Sequence, residues 1–67
     1  MSPRRLKTVL RELREKAGMS QLELAKKSGV AQGYISDLEG GDKKNPGLDV
    51  LKKLARALDV PVTDLLE

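Results

Sequence analysis

The sequence predicts an all-α domain of five short helices, two of them joined as a helix-turn-helix at about residues 21–40. Aliphatic residues recur at helical spacing, and no stretch shows the alternation of a strand. Gly18, Gly29, Gly40-Gly41 and Pro46-Gly47 separate those periodic runs. Within residues 20–41, SQLELAKKSGVAQGYISDLEGG, the side chains Leu24, Ala25, Val30, Ile35 and Leu38 flank a glycine at 29, the spacing of two packed helices around a tight turn. The 67 residues make one small domain, 1–67, near the lower size limit for a core that lacks disulfides or metal.

The elements follow in order. Leu6, Val9, Leu10, Leu13 and Ala17 recur at i, i+3, i+4, i+7 and i+11, one face of a first helix that Pro3 can open and Gly18 stops. Ser20-Gln21-Leu22-Glu23 reads as a capping box, in which the Ser20 hydroxyl takes a free N–H and Glu23 reaches back. A second helix then runs from about 21 to 28. The same pattern at Ser36-Asp37-Leu38-Glu39 falls inside the third helix, about 31 or 32 to 39, and starts nothing; Gly40-Gly41 closes that helix. Residues 42–47, DKKNPG, form a polar turn-rich loop. Leu48, Leu51, Leu54, Ala55 and Leu58 mark one face of a fourth helix, and Pro61 limits it and opens a short fifth at 62–66.

In the central motif, the small Ala25 lets two helices cross closely and Gly29 permits a left-handed turn. Leu24, Val30, Ile35 and Leu38 then pin the pair at a steep angle. The third helix can stand proud of the surface, in the manner that enters a DNA major groove.

Composition narrows the function classes. The chain has neither Cys nor His, which excludes zinc sites, thiol chemistry and the commonest general base. Ser20, Ser28 and Ser36 have no histidine to activate them, and no carboxylate pair is placed for acid–base work, so an enzyme is not expected and no cofactor is implied. No apolar run approaches the roughly 18 residues of a membrane span, and the first residues, MSPRRLKTVLREL, are charged too regularly for a secretory signal. A cytoplasmic protein, held at the nucleoid through DNA, is expected. Net charge is +3, with +5 on residues 1–30 and −2 on residues 31–67. Such asymmetry suits an anionic partner met by one side of the molecule.

Over residues 4–66 the chain resembles the lambda-repressor, Cro and Xre-type helix-turn-helix family. NPGLDVLKKLARALDV, residues 45–60, is similar to that family's fourth helix, and LREKAGMSQLELA to the end of its first and its second. The resemblance implies a compact five-helix domain that binds double-stranded DNA in a sequence-specific manner. It implies a transcriptional regulator, a repressor by preference, on an inverted-repeat operator as a homodimer formed in solution or on DNA. It assigns base contacts to Gln32, Gly33, Tyr34 and Asp37, and backbone contacts to Gln21, Ser36, Lys43, Lys44 and Asn45. Gln21 would also brace Gln32, and Arg14 and Glu39 would pair to join the first helix to the end of the third.

Side-chain chemistry agrees with part of that assignment. A glutamine amide matches adenine N6 and N7 in the major groove. The start of the second helix offers free N–H groups to a phosphate at Gln21, and loop lysines supply charge without sequence information. Gly33 and Asp37 depart from the pattern. Gly33 can only permit close approach, and it costs its helix about 0.5–1 kcal/mol relative to alanine. Asp37 could accept from cytosine N4, repel other bases or turn away. The Tyr34 ring could cover the core edge, and its hydroxyl could meet a phosphate or base. Leu22, Leu65 and Leu66 read as exposed leucines or as contacts with a second subunit. The alternative function on this scaffold is a protein-interaction module, such as an antitoxin or adaptor with a protein partner.

Overall fold

Aliphatic side chains from every element meet in one core in the computed structural model, which describes residues 6–41 and 46–66. The order is α1 (Leu6–Lys16), α2 (Gln21–Ser28), α3 (Gln32–Gly40), α4 (Leu48–Leu58) and a 3-10 turn at Val62–Leu65. Leu10, Leu24, Ile35, Leu38 and Leu54 are fully buried at its centre. Each such side chain removed from water contributes about 1.5–3 kcal/mol. No strand occurs among the described residues, and no helix among them is long and apolar enough to cross a membrane.

The expected fifth α-helix is instead that single 3-10 turn. Asp64 N–H donates to the Pro61 carbonyl and Leu66 N–H to that of Thr63. In so short a segment, i→i+3 bonds satisfy more backbone groups than an α-helix could. The turn also corrects the reading of Leu65, which is 3% exposed and belongs to the core, whereas Leu66 beside it is exposed. Leu48 and Ala17, placed on helix faces by their spacing, are exposed at helix ends, and Ala57 is buried.

The local signals act as their chemistry requires. Ser20 Oγ accepts from Glu23 N–H at 3.0 Å and Glu23 Oε1 accepts from Ser20 N–H at 2.8 Å, completing the capping box. Gly29 ends α2 at φ +78, and Ser28 Oγ accepts the Val30 N–H, so the chain turns at once into α3. α3 packs on α1 and α2, while α4 packs on α2 and the 3-10 turn. α2 is thus held between the other two helices, which leaves one side of α3 to solvent.

Candidate nucleic-acid interface

Ile35 and Leu38 anchor α3 by burial on one side. On the other, Gln32 and Ser36 lie one turn apart, as do Gly33 and Asp37, so these four share a face. Gln32, Gly33 and Ser36 are exposed and Asp37 is half-buried. Nothing lies within 4 Å of where a Gly33 Cβ would stand, so the protein itself does not require glycine there. Tyr34 is half-buried against the core, the first of its two readings. Ala31 offers no side-chain cap to α3, and the first turn carries no acidic residue. That helix end therefore presents its partial positive charge without a local carboxylate.

One polar network orients the motif. Arg14 Nε donates to Glu39 Oε2 at 2.7 Å, and Arg14 Nη2 donates to Glu39 Oε1 at 2.9 Å. Arg14 Nη1 donates to the Met19 carbonyl at 2.7 Å. The two charged side chains are only 11% and 5% exposed. Burial pushes the Glu39 carboxyl up, but the hydrogen bonds from Arg14 and Gln21 and the adjacent guanidinium charge outweigh it and hold the group below its ordinary range. The Glu39 hydrogen bond holds the Arg14 guanidinium correspondingly high, against the opposing effect of burial.

Gln21 differs from its expected role. Its Nε2 donates to Glu39 Oε1 at 3.1 Å, so the amide braces the end of α3 and not Gln32. At the α2 N-terminus the capping box already uses the Glu23 N–H. The backbone hydrogen bond from Ser20, then its hydroxyl, lowers the Glu23 pKa, so a second anion at this end meets a carboxylate that stays charged. Lys43, Lys44 and Asn45 lie outside the described residues. The Gln21–Glu39 bond spans 18 residues, and the Met19 acceptor is a backbone carbonyl; neither has a sequence signal. No cluster of His, Cys, Asp or Glu among the described residues could hold a metal ion.

A family model described as helix-turn-helix matches residues 10–65. The chain belongs to the lambda-repressor and Xre-type helix-turn-helix family. This family consists of DNA-binding transcriptional regulators, not enzymes. The helix-turn-helix regulator SinR of Bacillus subtilis is 40% identical over 58 residues, which cover 87% of this chain and 52% of SinR, so the chain spans about half the length of that relative. A helix-turn-helix regulator of Archaeoglobus fulgidus is 47% identical over 60 residues, 90% of this chain and 84% of its own length. The crystal structure of SinR, a master regulator for biofilm formation, in complex with DNA superposes with a TM-score of 0.89 at 37% identity, covering 92% of this chain and 98% of that one.

Proposed function

We propose that this chain is a sequence-specific, double-stranded DNA-binding transcriptional repressor that inserts α3 into the major groove of each half of an inverted repeat. The observation that carries the reading is the solvent face of Gln32, Gly33, Ser36 and Asp37 on a helix whose opposite side is locked into the core. Gln32 reads adenine through paired donor and acceptor, and Gly33 lets the backbone come close to base edges. Asp37 discriminates by accepting from cytosine N4 and repelling other bases. Tyr34 serves mainly as the apolar support of this face, with its hydroxyl available to DNA. Gln21 and Ser36, with Lys43, Lys44 and Asn45 of the following loop, hold the register on phosphates.

The likeness to SinR, whose fold is known in complex with DNA, supports this reading. Two copies whose recognition helices stand about 34–36 Å apart would occupy successive turns of one duplex face. The exposed Leu22 and Leu66 are candidates for contacts between copies. Bound over a promoter in the cytoplasm, such a dimer represses by occupying the site polymerase needs.

Selection of bound sequences from random duplex DNA tests the proposal. The expected product is an inverted repeat whose affinity falls with salt, at a log–log slope of about −0.9 per phosphate contact. Recovery of no enriched sequence, or a complex indifferent to salt, would overturn it. Transcription from a promoter carrying the selected site should fall when the protein is supplied.

A further inference from the structure

The C-terminal end of α2 and α4 border an open cleft of about 440 Å³, lined by Lys27, Ser28, Lys52, Lys53, Arg56 and Ala57. α2 is about 12 Å long at 1.5 Å per residue, so the cleft and the Gln21–Glu39 junction lie at opposite ends of it. Four cations surround the opening, and all four are exposed. None of them makes an ion pair or side-chain hydrogen bond among the described residues. Two carboxylates close to them in sequence are turned elsewhere. Glu23, one helical turn before Lys27, is committed to Ser20. Asp49, before Lys52 and Lys53, folds back over the start of its helix, with Oδ1 2.8 Å from where a Cβ on Gly47 would stand. Ala57 supplies a buried, uncharged wall, and the Ser28 hydroxyl is occupied by Ala25 and Val30 backbone groups.

We propose that this cleft docks an acidic, extended peptide segment of a partner protein, whose carboxylates pair with Lys27, Lys52, Lys53 and Arg56. Charge complementarity selects the chemistry, because like charges gathered here repel one another until an anion neutralises them. Size selects the form. The volume falls within the range of small binding pockets and admits a few side chains of an extended chain. A rigid duplex is too broad to enter it and could reach only the rim. Exposed ion pairs are individually weak, so binding depends on several at once and weakens with salt. The site is separate from the α3 face and does not rest on the DNA-binding reading.

The test uses the whole chain and a fluorescent oligoglutamate peptide, read by anisotropy at low salt. The parent should bind it, and the double charge reversal Lys52→Glu with Arg56→Glu should weaken binding by at least about tenfold. The same charge change on another surface, Lys7→Glu with Lys16→Glu, should alter it by less than about twofold. Affinity for a selected duplex is measured in parallel. Three results would overturn the proposal: no peptide binding by the parent, equal weakening by both charge pairs, or loss of DNA affinity alone in the cleft variant, which would make the patch a phosphate-contacting surface. Circular dichroism verifies folding. Should the double reversal unfold the chain, the milder Lys52→Gln and Arg56→Gln, each at an exposed position, are compared with Lys7→Gln and Lys16→Gln under the same criteria.

Discussion

Arg14 and Glu39, 25 residues apart, meet through two parallel guanidinium–carboxylate hydrogen bonds in a partly buried setting at the junction of α1 and α3. The same carboxylate accepts from Gln21 at the start of α2. One charge thus ties three helices together and fixes the end of α3 opposite to its exposed leading edge. Such a pair is weak evidence of net stabilisation, but removing one partner strands the other.

Arg14→Ala should therefore lower the free energy of unfolding by about 2 kcal/mol, since it deletes charge-assisted bonds and leaves Glu39 uncompensated. Thermal melting followed by circular dichroism checks it. Arg14→Lys keeps the charge but loses the fork geometry, and should recover only part of the loss. Melting of Arg14→Ala at the parent temperature would show the pair to be irrelevant to stability.

Acid should weaken the fold through the same contact. The folded-state pKa of Glu39 lies below its unfolded value. Between those two values the unfolded chain binds more protons, so stability rises with pH in that window. The contribution is complete above the unfolded value, about 4.3 for glutamate, and is lost as pH falls through the folded one. Glu39→Gln should flatten the dependence of melting temperature on pH there; an unchanged profile would assign the acid sensitivity to other carboxylates.

Gly33→Ala separates folding from recognition. Open space surrounds the position and its φ is not positive, so alanine should stabilise the free protein by about 0.5–1 kcal/mol through helix propensity. If Gly33 exists to let α3 approach base edges, the same change should weaken binding to the selected operator. Stability and affinity should move in opposite directions, as melting and gel-shift measurements would show. A variant that gains both would remove close approach as the reason for this glycine.

Gln32→Ala should relax discrimination at one position of each half-site, by about 1–3 kcal/mol between the preferred and the wrong base. Binding to unrelated DNA should change little. Repeating the selection with the variant reads the effect directly. An identical enriched sequence would take Gln32 out of base reading.

Leu65→Ala and Leu66→Ala, neighbours in sequence, should differ sharply. Leu65 is buried in the core and its truncation should cost about 2–3 kcal/mol. Leu66 is 45% exposed, and its loss should be nearly neutral for folding of the monomer. Denaturant midpoints of the two variants provide the comparison.

Periodic leucines, glycines at turns and the Ser20–Glu23 box made the four α-helices readable, because each signal acts within a few residues. Leu24, Val30, Ile35 and Leu38 were assignable to the core for the same reason. The end of the chain was less legible. After Pro61, four residues suit either a last α-turn or a 3-10 turn, and the choice decides which of two adjacent leucines faces inward. Leu48 was misleading since a residue at a helix start can fit the period and still project beyond its neighbours. The Gln21 bond to Glu39 was not legible because glutamine can bond to many groups, and this acceptor belongs to a residue 18 positions away.

By itself the sequence determined the helical class, the bounds of α2, the turn at Gly29 and the set of side chains able to line one face of α3. These follow from backbone sterics, capping and periodicity, all of which operate over short distances along the chain. Only the tertiary structure decided that Gln21 turns to Glu39, that Leu65 closes the core, and that Lys27 faces the cations of α4 across a cleft. Those outcomes depend on which surfaces meet when helices pack, and packing compares distant residues through shape and desolvation that no local pattern records.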